Sequence, residues 1–170
     1  MTAAQINGLL LGEVADLDDP EGLGRVRVRF LSRPGDATSF WAPIARPLAS
    51  GGFGFWFPPV AGDVVLVGFE EGRIERPYLL GAIYTGDNQP PSTELQERMI
   101  RTESGHTLTF DDRPGSEAVK IEDAHGNTVT MESAGVTVES KTDLTLKAVN
   151  ITLEAQAQLT CKGAPIHLNP

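Results

Sequence analysis

The chain has 170 residues, 40% of them hydrophobic, which is enough for one ordinary domain or two small ones. Its formal net charge of −9 argues against nucleic acid as a partner, because binding to phosphates needs a surplus of Lys and Arg. Cys161 is the single cysteine, so no intrachain disulfide is expected. The apolar run Leu9–Leu11 is too short for a secretory or membrane-spanning segment, and we expect synthesis in the cytoplasm without a signal peptide.

The first predicted strand covers residues 5–16 and is followed by an acidic loop. Asp16, Asp18 and Asp19 stand close together there, as carboxylates do at the start of a calcium-binding loop. The central glycine and the distant glutamate of such a loop are absent. We interpret the segment as a solvated turn rather than a calcium site.

Residues 24–30 alternate strictly and predict a second strand with one apolar face. Its other face carries Arg25, Arg27 and Arg29. These arginines either form ion pairs with carboxylates on neighbouring strands or make a stripe that binds an acidic partner. We favour the ion pairs, because opposite charges commonly pair across exposed strands.

A third strand is predicted at residues 39–47, followed by aromatic residues interleaved with glycines. Stacking of bases or sugars is one role for such side chains. The acidic balance favours instead that they close the end of a barrel or pack against another subunit. The aromatic residues are Phe53, Phe55, Trp56 and Phe57.

A hairpin is predicted from residue 64 to residue 84. An almost wholly apolar strand at 64–69 and a second strand at 78–84 flank a turn at 70–73. Gly62 and Asp63 give the tight entry to the first strand, and Pro77 suits the position where a missing N–H costs least.

The spacing of these residues resembles the OB-fold domain of the phage baseplate assembly protein V and VgrG-type spike family. The resemblance implies an OB barrel of five strands over residues 1–85. The residues that match the family's structural motif are Gly24, Trp41, Gly62, Asp63, Arg76, Pro77, Gly81 and Tyr84.

Residues 86–104 are polar and contain Pro90 and Pro91, which is typical of a linker. Residues 105–170 then consist of very short alternating β segments. Residues 105–111 align with residues 126–132 at an offset of 21. Apolar pairs recur at steps of 7 or 8 residues: Val129/Met131, Val136/Val138, Leu144/Leu146, Ile151/Leu153, Leu159/Cys161 and Ile166/Leu168.

One copy of such a repeat cannot bury its own apolar residues, because each strand contributes only two of them. The pattern is compatible with a monomeric meander packed on the barrel, with one sheet of a sandwich, or with three copies wound into a prism. The resemblance implies the last, an intertwined trimeric β-helix whose core is formed by the first five pairs. The expected fold is therefore all-β, an OB barrel followed by this helix.

The resemblance also implies partners. Ile166, His167 and Leu168 would form a blunt tip capped by a PAAR-type cone protein. The chain has no counterpart of the large N-terminal region of VgrG proteins, so separate hub, tube and baseplate proteins are expected. His167 lacks the His-x-His motif of metal-tipped members, and His106 and His125 lie at predicted turns. We expect no metal and no cofactor.

These features favour a structural, cell-puncturing spike of a contractile injection system. The system would be a phage tail, an extracellular injection particle or a type VI-like device, acting at the target envelope. The spike would work mechanically as a homotrimer, since no nucleophile–base pair or carboxylate cleft predicts an enzyme. The alternative is a non-trimeric OB-fold binding module for glycan or peptide.

Overall fold

The computed structural model describes residues 6–33, 35 and 38–167. The chain divides into two compact units, residues 1–90 and residues 91–170. Apart from a 3₁₀ turn at Glu70–Gly72, every regular element of the described residues is a β-strand. The all-β class expected from the sequence is confirmed.

The first unit is built on an antiparallel sheet of four strands in the order β2-β1-β5-β6. Period-two alternation turns the valines of these strands inward, where Val14, Val28, Val65 and Val67 are fully buried. A short hairpin of two further strands stands apart from this sheet. The strands are β1 (Leu10–Asp16), β2 (Arg27–Phe30), β3 (Ala49–Ser50), β4 (Phe53–Gly54), β5 (Val64–Phe69) and β6 (Pro77–Ala82).

The four strands of this sheet do not close on one another directly. Residues 38–45 instead bridge its two outer strands, with Ser39 N–H donating to Val28 O at 2.8 Å and Leu79 N–H donating to Pro43 O at 2.9 Å. The predicted strand at 39–47 is reduced to these bridges because Pro43 and Pro47 carry no N–H for a continuous ladder.

The second unit contains a five-stranded antiparallel meander. Its strands are β7 (Glu97–Arg101), β8 (Thr107–Asp111), β9 (Ala118–Glu122), β10 (Thr128–Glu132) and β11 (Gly135–Glu139), in the order β11-β10-β9-β8-β7. β7 lies inside the predicted linker 86–104, where the sequence showed little apolar pattern. It forms because its backbone pairs with β8 from Glu97↔Asp111 to Arg101↔Thr107.

The chain beyond β11 forms no strand within the described residues, which end at His167. Its side chains are exposed throughout residues 141–167. No backbone–backbone hydrogen bond joins residues of this described stretch. The sequence of this segment alternates as a strand would, but in the single chain its backbone is not paired into a sheet.

Candidate functional site

One face of the second unit's sheet is apolar except at one position on its edge strand β7. The strand register aligns two rows of side chains on this face, and the only charged member is Arg98, on the edge strand β7. We call this surface the apolar face. The rows are Arg98-Phe110-Val119-Met131-Val136 and Ile100-Leu108-Ile121-Val129-Val138.

The opposite face is polar, and most of its side chains are half-buried. Its central row contains three threonines, and Lys120 forms an ion pair with Glu122 at 2.6 Å. Met99 and Ala118 are its apolar members. The rows are Glu97-Asp111-Ala118-Glu132-Gly135, Met99-Thr109-Lys120-Thr130-Thr137 and Arg101-Thr107-Glu122-Thr128-Glu139. A sheet with one apolar and one polar face is built to pack on one side only.

In the single chain much of the apolar face is exposed to solvent. Ile121 is 49% exposed, Val138 54% and Val136 69%. None of the described residues of the second unit belongs to the buried hydrophobic core. A contiguous apolar surface of this kind marks an interaction site rather than an ordinary solvent face.

The predicted trimer core divides into two groups in the structure. Val129, Met131, Val136 and Val138 lie together on the apolar face. The remaining predicted residues are exposed in the segment that forms no strand: Leu144, Leu146, Ile151, Leu153, Leu159 and Cys161. Their role in a core stays a prediction.

The sequence interpretation missed more than half of the residues of the apolar face. The alignment of residues 105–111 with 126–132 already pairs Leu108 and Phe110 with Val129 and Met131. Val119 and Ile121 also alternate, but their strand has no close sequence match to either segment. Ile100 was missed because its strand was assigned to the linker.

Turns at one end of the sheet are held by a side-chain network. Asp123 accepts hydrogen bonds from the side chain and the backbone of Asn127, and the pKa of its carboxyl is lowered chiefly by the side-chain bond. Asn127 Oδ1 in turn accepts the Lys141 N–H at 2.9 Å. His106 and His125 lie in turns, as predicted, and His106 Nδ1 accepts the Ala124 N–H at 3.2 Å. These contacts fix the sheet and the start of the C-terminal segment.

In the first unit, the residue pair at the entry to β5 ties that strand to β1. Gly62 N–H donates to Val14 O and Val14 N–H donates to Asp63 O, both at 2.9 Å. The Asp63 carboxylate accepts the Val60 N–H at 2.9 Å. Gly62 has φ +93°, which an L side chain rarely adopts. These motif residues have structural roles.

The other motif residues surround β6. Arg76 forms an exposed ion pair with Glu70 at 3.2 Å across the turn. Pro77 is buried as the first residue of β6, and Gly81 faces Leu66 beside an irregularity in the strand register. Tyr84 is exposed beyond the end of the strand.

The three arginines of residues 25–29 have different partners. Arg29 pairs with Glu13 on β1 at 2.5 Å, and Arg25 pairs with Asp19 at 2.6 Å. Arg27 stacks on Trp41, its guanidinium carbon 5.0 Å from the ring centroid. Pairing with a carboxylate on a neighbouring strand, the interpretation we favoured, therefore applies to Arg29, whereas Arg25 pairs with an aspartate of the preceding loop.

Asp19 organises the acidic loop. Its carboxylate accepts the backbone N–H groups of Glu21, Leu23 and Arg25 and the guanidinium of Arg25. The side-chain hydrogen bond from Arg25 is the main reason why the pKa of Asp19 lies well below its ordinary value. The carboxylate oxygens of Asp19 therefore already face N–H donors within the turn.

The aromatic residues in β4 and directly after it are exposed and do not close the end of the barrel. Trp56 is 65% exposed and Phe53, Phe55 and Phe57 are similarly exposed. The tip of the Trp56 indole lies over Gly24, where a Cβ would be 2.6 Å from the ring. Gly24 therefore permits a close approach that any other residue would block.

The role of Ile166, His167 and Leu168 as a capped tip stays a prediction. Ile166 and His167 are exposed, and Leu168 lies outside the described residues. Within residues 6–33, 35 and 38–167, no three His, Cys, Asp or Glu side chains group as metal ligands would.

Helices long and apolar enough to cross a membrane are also absent from this part of the chain.

Comparisons with known proteins match both units. Residues 10–84 match the family model of the Type VI secretion system/phage-baseplate injector OB domain. Residues 97–170 match the phage baseplate V C-terminal trimerisation domain. The Type VI secretion system spike protein VgrG5 of Pseudomonas aeruginosa is 33% identical over 111 residues, which cover 58% of this chain and 14% of that protein. With both of its units matched, the chain belongs to the phage baseplate V and VgrG-type family of OB-fold and trimerisation-domain proteins.

Proposed function

We propose that the chain is the central spike of a contractile injection apparatus and acts mechanically as a homotrimer. The observation that carries this proposal is the apolar face of the second unit, which one chain leaves open to water. The match of residues 97–170 to a trimerisation domain supports two further copies of the chain as its cover.

The dimensions of the sheet suit a three-sided prism. Each strand has five residues, which gives a face about 17 Å wide when the strands run across the axis. The axis of a triangular prism with that side lies about 5 Å from each face. Side chains on two packed sheets also meet about 5 Å from each sheet, since such sheets lie roughly 10 Å apart. Each strand contributes two inward side chains, enough to fill this interior without leaving a pore.

The segment after β11 would continue the prism with strands shared between chains. Its apolar pairs, Leu144/Leu146 to Leu159/Cys161, would join the same interior, and backbone pairing with sister chains would supply its missing hydrogen bonds. A cross-section closed in this way has no open edge, which suits a rigid needle pushed through an envelope. No bond chemistry is required.

We propose a PAAR-type cone protein as the cap at Ile166–Leu168, and hub, tube and baseplate proteins as partners of the first unit. The name of the relative VgrG5 supports an injection apparatus, and whether this is a type VI system, a phage tail or another particle is open to experiment.

Size-exclusion chromatography with light scattering tests the proposal. The expected mass is three times the 18.2 kDa of one chain, constant on dilution and in 1 M salt. A mass of 18.2 kDa at micromolar concentration would contradict the spike.

A further inference from the structure

A cleft of about 480 Å³ opens on the first unit beside the β3–β4 hairpin. Arg46 is the only charged residue that lines it. Among the residues that bound the cleft are Gly24, Arg46, Phe53, Phe55 and Trp56. Its volume lies within the range of clefts that bind small ligands, roughly 300–1,000 Å³.

Arg46 has no anionic partner among the described residues. Its guanidinium carbon lies 4.5 Å from the Trp56 ring centroid, and Nη1 donates to Phe57 O at 3.1 Å. Nη2 is buried and has no acceptor. A ligand that brings a carboxylate would complement the unpaired charge of Arg46, because charge-assisted hydrogen bonds are the stronger ones.

The walls of the cleft are aromatic and already in place. Trp56 is held by its stack on Arg46 and by its close approach to Gly24. Phe53 and Phe55 stand exposed on the hairpin. Trp and Arg are the residues most enriched at energetic centres of interfaces, and a wall that needs no rearrangement lowers the entropy cost of binding.

We propose that this cleft binds an extended peptide segment of a partner protein in which a large apolar side chain stands next to Asp or Glu. The apolar side chain would lie against Trp56 and Phe53, and the carboxylate would meet Arg46. A narrow concave cleft fits one protruding segment better than the broad surface of a second folded domain. The proposal concerns the first unit alone and does not depend on the trimer.

Selection from a random dodecapeptide library on the full-length protein tests this. We expect enriched peptides that place Leu, Ile, Phe or Trp within three residues of Asp or Glu. For a synthetic peptide of that sequence, Arg46→Gln should weaken binding about tenfold or more, and Trp56→Ala should do the same. Arg33→Gln, which removes an arginine that stacks on Phe30 outside the cleft, should leave affinity unchanged.

Two results would overturn the proposal. One is the absence of an enriched motif, or a motif that Arg46→Gln binds equally well. The other is weak acrylamide quenching of Trp56 fluorescence in the absence of peptide, measured in a Trp41→Phe variant in which Trp56 is the remaining tryptophan. Weak quenching would mean that a second copy of the chain already fills the cleft. Light scattering on the same samples reports the oligomeric state, so failure of the cleft and failure of the trimer are told apart.

Discussion

Asp19 shows how one carboxylate can hold a loop that the sequence presents as merely acidic. Its side chain is only 3% exposed and accepts bonds from three backbone N–H groups and from Arg25. The sequence could not single it out, because Asp16 and Asp18 stand in the same run. Its role depends on where the loop returns to meet Arg25.

The first prediction concerns the contribution of Asp19 to stability at low pH. Its pKa is lower in the folded chain than in the unfolded one, so the ionised carboxylate stabilises the fold above about pH 4 and this contribution is lost progressively below that value. Asp19→Asn should lower the free energy of unfolding at pH 7 and lessen its fall between pH 4 and pH 2. Tryptophan fluorescence during urea denaturation measures this, because both tryptophans lie in the first unit. Asp18→Asn is the matched control, and equal acid sensitivity of all three proteins would refute the role.

A second prediction concerns the close crossing of β1 and β2. A Cβ on Gly12 would lie 2.2 Å from Val28 Cγ1 and 2.8 Å from Arg29 O. Gly12→Ala should therefore destabilise the first unit by about 1–3 kcal/mol, the usual cost of overpacking a buried site. Gly81→Ala on β6 meets nothing within 4 Å and should change stability by less than about 0.5 kcal/mol. Equal urea midpoints for the two variants would show that the crossing is not tight.

At the scale of the element, the second unit's sheet has two faces that can be tested separately. Ile121→Asp would place three carboxylates inside the proposed trimer, each at a cost of several kcal/mol, and should abolish the trimer. Thr130→Asp makes the same change on the polar face and should leave the trimer intact. Light scattering distinguishes the two, and a trimer that tolerates Ile121→Asp would mean that the apolar face is not the interface.

Much of these elements could be predicted from the sequence. The strict alternation of residues 24–30 and the short apolar run at residues 64–69 were sufficient to predict β2 and β5, since both patterns are local properties. β7 was not predictable, because Glu97–Arg101 has a weak pattern and becomes a strand only by pairing with β8. The arginine–tryptophan contacts were not predictable either, since Arg46 and Trp56 are brought together by the hairpin between them.

Part of the apolar face could be predicted from the sequence. The repeat predicted that Val129, Met131, Val136 and Val138 share an environment, and the strand register places them on one face. Joining them to Val119 and Ile121 required knowing that β9 pairs with β10, which is a matter of register rather than of local pattern.

The two units differ in how well a single copy of the chain buries their apolar side chains. The first has a buried core of its own around Val14, Val28 and Val67. The second has no buried core residue among those the structure describes. The proposed assembly therefore rests on the second unit, while the first is free to carry contacts such as the cleft.

Hydrogen–deuterium exchange of the assembled protein tests the central claim most directly. Amides of residues 144–161 have no backbone partner in one chain, so only pairing with sister chains can protect them from exchange. The account predicts slow exchange there, comparable with that of β8–β10, in a particle of three chains. Exchange within seconds across 144–161 while β8–β10 stay protected would contradict it.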